Sequence, residues 1–192
     1  MKVPLRFQLT ETDCGATALL NAIGYLYERE EILSELENVI YEYTLDSVTK
    51  GSRAGSGGVN RIAMCILSHW LTVHSDVNGF PMSVKRYTGE DVTPEKVVRS
   101  LHKNSALVVR VWQETVHYVL VTKVDREYVY LFDSYYLDSS YYDEDKEVEI
   151  VHDQPFSYNR KVKLKRFFSQ TKKDFALGAY AGRELVVVSR TR

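Results

Sequence analysis

The stretch Ala106–Asp133, ALVVRVWQETVHYVLVTKVDREYVYLFD, decides the fold. Three runs in it, ALVVRVW, HYVLVTKV and EYVYLFD, are rich in β-branched and aromatic residues. The polar triplets QET and DRE separate them. Such runs bounded by polar turns predict an antiparallel meander of three strands. Two of its residues stand out. His117 opens the second run, and Asp133 ends the third, sixteen residues later. In a hairpin the two can lie on neighbouring strands, although register is not readable from sequence.

Outward from the meander, the C-terminal side adds more strand signals. A strand is expected at Val148–Val151, a helix near Lys165–Ser169, and a closing strand in RELVVVSR. The N-terminal side is mostly helical. Thr93–Asn104 reads as a helix, with Thr93 as N-cap and Pro94 at its first position. Val84–Tyr87 reads as a short strand and Ile62–Leu71 as a helix. Before that helix lies TKGSRAGSGGVN, Thr49–Asn60, a Gly/Ser-rich loop in which Ser56 or Asn60 supplies the cap. No Gly-Lys-Ser/Thr element closes this loop, so it does not read as a phosphate cradle. Glu30–Glu42 and Cys14–Glu28 read as helices, the latter capped by Asp13, and Val3–Gln8 as a short strand or extended arm. Helices first and an antiparallel sheet later place the chain in the α+β class, with N-terminal helices packed on a C-terminal sheet. One domain over residues 1–192 is expected.

Composition narrows the function. The 192 residues carry a formal net charge of −1, which offers no nucleic-acid footprint and no polybasic membrane contact. No apolar run approaches the ~20 residues of a membrane span, and MKVPLRFQLTETD has no signal-peptide core. The two cysteines, Cys14 and Cys65, make no disulfide framework, which favours a reduced, cytoplasmic protein. Cys65, in the apolar run VNRIAMCILSHWL, is expected in the core. No Cys-x-x-Cys or His-x-x-x-His spacing suggests a metal, and DSYYLDSSYYDEDKE lacks the glycine and ligand spacing of a calcium loop. No cofactor is expected.

Cys14 follows the polar TETD and starts the apolar helix CGATALLNAIGYLY. A buried small side chain is one reading. The other is a nucleophile at the positive end of a helix dipole, where a thiolate is favoured. That second reading needs a histidine base, a group to orient it, and oxyanion donors. His69, His74, His102 and His152 lie in helices, near helix ends or in charged surroundings. His117 instead starts a rigid apolar strand. Asp133 after VYLF is a costly carboxylate unless paired. Gln8, six residues before Cys14, has amide N–H donors for an oxyanion, and the Cys14 backbone N–H is a second.

The blocks Q-x5-C-G-A-T-A-L, H-Y-V-L-V and Y-V-Y-L-F-D together resemble the peptidase C39 family and its C39-like relatives, which are papain-like cysteine peptidases. The resemblance implies Cys14 as nucleophile, His117 as base, Asp133 as orienting residue and Gln8 as oxyanion donor. It implies a papain-like fold and a peptide or protein substrate, such as the double-glycine leader peptides cut by transporter-borne members. SGGVNRIAMCIL is similar to that family's Gly-rich turn into a second core helix, and LKRFFSQT…ELVVVSR to its closing segment. The family's aspartate is usually followed by proline, whereas Ser134 follows Asp133 here, and residues are added around 44–58 and 138–161. Two other functions remain open on the same residues: an acyltransferase or amidase using the same triad, and a non-catalytic peptide-binding module with the tyrosine-rich Tyr135–Tyr142 as its surface.

Overall fold

The structure, a computed structural model, describes residues 1–45 and 59–191. Helices α1 (Cys14–Leu26), α2 (Ser34–Leu45) and α3 (Arg61–Asn78) come first. Strand β1 (Met82–Thr88) and helix α4 (Pro94–Ser100) follow. Then come β2 (Ser105–Gln113), β3 (Thr115–Val124), β4 (Tyr128–Phe132), β5 (Val148–Ile150), β6 (Arg160–Lys163), helix α5 (Leu164–Phe167) and β7 (Glu184–Arg190). The seven strands form one antiparallel sheet in the order β1-β7-β2-β3-β4-β6-β5.

The meander forms as its sequence predicts. The C-terminal strand β7 inserts between β1 and β2, a placement set by long-range pairing that local patterning does not specify. Strand β6 was not expected, although RKVK alternates in the manner of a strand. The arm before α1 is extended but pairs with no strand. It is tied down by Leu5 N–H to the Pro155 carbonyl at 2.8 Å and Gln8 N–H to the Ser134 carbonyl at 2.9 Å.

The sheet is covered on both faces, which explains why ALVV is apolar without alternation. Ala106, Val108, Leu120, Phe132, Val186 and Val188 face a core with α1, α2 and α3. Leu107, Val109, Val119, Val121, Leu131 and Val187 face a second core built with Val97, Phe167 and Phe175. Helix α1 is buried from Cys14 through Gly24, so it has no solvent face.

Three expectations are corrected. Cys65 is exposed. The core face of α3 carries Ala63, Met64, Leu67, Ser68, Leu71 and Ser75, and at 100° per residue Cys65 falls on the opposite side. Asp13 precedes α1 but does not cap it with its side chain. Its carboxylate instead accepts from Leu9 N–H at 3.1 Å, Thr10 N–H at 3.0 Å and the Thr10 hydroxyl at 3.0 Å, bracing the loop before the helix. The predicted caps Thr93 and Asn60 do cap α4 and α3: Thr93 accepts from Lys96 N–H, and Asn60 from Ile62 and Ala63 N–H. Most of the Gly/Ser-rich loop, including Ser56, lies outside the described residues. The helix expected at Glu30–Glu42 is a single 3-10 turn, Arg29–Glu31, followed by α2.

Candidate active site

The register of the meander brings His117 and Asp133 together. Side chains alternate along a strand, so His117, Val119 and Val121 share one face of β3. Val121 lies opposite Leu131 of β4, and Asp133, two residues on, keeps the face of Leu131. His117 Nε2 meets Asp133 Oδ1 at 2.7 Å. A carboxylate only accepts, so the ring donates from Nε2 and leaves Nδ1 for another partner.

Asp133 is fully buried and held from several sides. The Tyr135 N–H donates to Oδ1 at 2.9 Å, and Gln113 Nε2 to Oδ2 at 3.3 Å. Asn159 grips the backbone, accepting from Asp133 N–H at 2.7 Å and donating to its carbonyl at 2.8 Å. Arg160, also fully buried, lies 3.8 Å from Oδ2 as the counter-charge. Its guanidinium donates to the Asn159 carbonyl at 3.0 Å and the Tyr135 carbonyl at 3.1 Å, and Nε is buried without a partner among the described residues. Burial pulls Arg160 below the usual guanidinium range, and Asp133 opposes that fall.

Cys14 is the first residue of α1, and it lines the same cavity as His117. With Nε2 committed to Asp133, Nδ1 is the ring nitrogen left for the sulfur. Burial acting alone would lower the imidazole's proton affinity. Asp133 by charge and hydrogen bond, and Cys14 by the same two effects, outweigh it and push His117 from 6.5 up to about 10. The ring is thus held as an imidazolium beside the cavity that Cys14 also lines. Among the described residues no side chain caps α1, which leaves the N–H groups of its first turn without a side-chain cap there.

Gln8 is part-exposed and oriented on both sides of its amide. Nε2 donates to the Thr10 carbonyl at 2.9 Å, and Oε1 accepts from the Ser134 hydroxyl at 2.8 Å. Gln8, Cys14 and His117 line one cavity of about 250 Å³, whose walls include Gln113, Tyr135 and Tyr142. A larger depression of about 320 Å³ over Tyr128–Ile150 has no cysteine or histidine in its lining.

The chemistry such a pocket can perform is acyl transfer through sulfur. The model of the Peptidase_C39 like family matches residues 1–164. The chain belongs to the Peptidase_C39 like family. Among solved structures, this family member is similar to the structure described as "Crystal structure of a double glycine motif protease from AMS/PCAT transporter in complex with the leader peptide". That similarity has 15% identity and a TM-score of 0.50, and covers 99% of this chain and 93% of that one. At that identity it shows the fold alone, the papain-like α+β fold with helices packed on an antiparallel sheet. No curated protein sequence matches. No described helix is long and apolar enough to cross a membrane.

All four residues singled out from the sequence of this C39-like protein, Cys14, His117, Asp133 and Gln8, lie at this one place. The other histidines lie elsewhere. His69, His102 and His152 are exposed, and His74 stacks on Trp70 at 4.4 Å. Sequence reasoning missed Gln113, Asn159 and Arg160. The alternating RKVK that forms β6 is the one local signal that could have placed Asn159 and Arg160 at a strand start beside β4.

Proposed function

We propose that this chain is a cysteine peptidase acting on a peptide substrate of the leader type, with Cys14 as nucleophile, His117 as acid–base, Asp133 as its orienting partner and Gln8 as an oxyanion donor. The observation that carries the reading is the imidazole of His117, buried, bonded to the Asp133 carboxylate and lining one cavity with Cys14 and Gln8. The raised His117 presents an imidazolium to the cavity at rest. The Cys14 sulfur attacks the peptide carbonyl carbon, and the carbonyl π pair moves to oxygen. That oxyanion is met by a Gln8 Nε2–H and the Cys14 backbone N–H. The oxygen's pair returns, the C–N bond breaks, and His117 passes its proton to the leaving amine. Neutral His117 then takes a proton from water, whose oxygen displaces sulfur from the acyl group, restoring thiolate and imidazolium.

The test is the rate of alkylation by iodoacetamide on a Cys65→Ser background, because the exposed Cys65 would otherwise react. The expected result is faster modification of Cys14 at pH 6 than of free cysteine, with the excess lost in His117→Ala. Cleavage of a peptide library, read by mass spectrometry and abolished in Cys14→Ala, completes it. A rate equal to free cysteine and indifferent to His117→Ala overturns the proposal and favours a binding module.

A further inference from the structure

We propose that Ser134 is a positioning residue, whose hydroxyl fixes the amide of Gln8 so that Nε2 faces the developing oxyanion. This rests on the peptidase reading above and adds a residue to it.

An amide side chain has two faces, one that donates and one that accepts, and only one orientation offers N–H to an oxyanion. Two neighbours select it. The Thr10 carbonyl, 2.9 Å from Nε2, can only accept, so turning the amide over would set two acceptors against each other. The Ser134 hydroxyl donates to Oε1 at 2.8 Å and holds the opposite end. Ser134 is only 2% exposed, so this bond competes little with water. A Gln8–Thr10 bond alone would let the amide swing about its χ angles, because Thr10 belongs to the same loop. Ser134 belongs to the sheet end, and its carbonyl also accepts from the Gln8 N–H at 2.9 Å. One amide hydrogen goes to Thr10, and no described residue takes the second, which is left for substrate.

The position of Ser134 gives the contact its meaning. Asp133 orients His117, and the very next residue orients Gln8. A single rigid dipeptide, gripped by Asn159, thereby sets the base and the oxyanion donor relative to each other. No residue lacking a side-chain donor could take the place of Ser134 in this role.

The experiment compares two reagents on the Cys65→Ser background. p-Nitrophenyl acetate acylates sulfur: S–C forms, an oxyanion develops, and the C–O bond breaks with its pair leaving on p-nitrophenolate. Iodoacetamide alkylates by direct displacement of iodide and forms no oxyanion. Removing an oxyanion donor costs about 10²–10³-fold. Ser134→Ala, which loosens the donor but keeps it, is expected to slow the p-nitrophenolate burst about ten-fold. The iodoacetamide rate and its pH profile should stay unchanged. Ser134→Thr, which keeps a hydroxyl, should recover most of the burst rate. In a Gln8→Ala background, Ser134→Ala should cost no more, because the group it positions is gone. Equal slowing of both reagents, slowing of neither, or a full additive loss in Gln8→Ala overturns the inference while leaving Cys14 activation intact. Loss of His117-dependent alkylation in the otherwise unmodified protein would instead overturn the peptidase reading, and this inference with it.

Discussion

Asp133→Asn isolates the electrostatics at the base of the cavity. Asparagine keeps the size of the side chain and an oxygen that accepts from His117 Nε2, now 2.7 Å from Oδ1. It removes the one carboxylate that faces both His117 and the fully buried Arg160. His117 is raised from 6.5 to about 10. At about 1.4 kcal/mol per tenfold change in proton affinity, that shift corresponds to roughly 5 kcal/mol, the top of the ~3–5 kcal/mol lost when a buried pair is broken on one side. Because the asparagine oxygen still accepts, about 3 kcal/mol is expected at pH 6. For a chain of this size, that corresponds to about 6–12 °C in Tm. The sign of the pH dependence is the sharper test. A histidine raised on folding stabilises fully below about 6.5 and loses that contribution as pH climbs through about 10. The gap between the two proteins should therefore be widest at pH 6 and shrink to less than about half by pH 9.5, the residue being the cost of an unpaired Arg160. Urea unfolding, followed by the fluorescence of Trp70 and Trp112 at several pH values, reads it directly. A gap that is constant from pH 6 to 9.5, or below about 1 kcal/mol at pH 6, refutes the reasoning.

Gly15→Ala should destabilise by about 1 kcal/mol. A Cβ there would sit 2.6 Å from Val59 Cβ and 2.7 Å from Cγ2, and the overpacking outweighs the ~1 kcal/mol helix gain. Only Val59→Gly, not Val59→Ala, should restore stability, because the tightest contact is to Cβ itself. Glu184→Gln should cost about 2 kcal/mol by chemical denaturation, since this fully buried carboxylate accepts from Arg86 Nε at 2.5 Å and the Tyr118 hydroxyl at 2.6 Å. Asn60→Ala should cost about 1 kcal/mol by removing the cap of α3, and Asn60→Asp should recover most of it. On the opposite face of the same helix, Cys65→Ser should change stability by less than about 0.5 kcal/mol.

The legible parts of this protein were those with a local cause. The β-branched runs of β2, β3 and β4, the Thr93-Pro94 start of α4 and the Asn60 cap all formed as their neighbours in sequence dictate. His117 and Asp133 were legible because an ionisable residue in an apolar strand calls for a partner, and each supplied the other's. Cys65 was misread because the run around it is apolar on more than one side, and sequence alone does not say which face of α3 meets the sheet. Asp13 was misread because a carboxylate before a helix has two sets of backbone donors in reach, and it took those of the loop behind it.

By itself, the amino-acid sequence determined the α+β order of elements, the meander and the residue types gathered at the candidate site. These follow from side-chain period, turn chemistry and the cost of isolated polar groups. Only the tertiary structure decided that β7 would enter the sheet between β1 and β2, and that Arg160, from a strand the sequence hardly announced, would be the counter-charge of Asp133. It alone decided that Ser134 would reach Gln8 across 126 positions of chain. Such contacts depend on the register and stacking of distant segments, and those are set by the sum of packing over two cores rather than by any residue's neighbours in sequence.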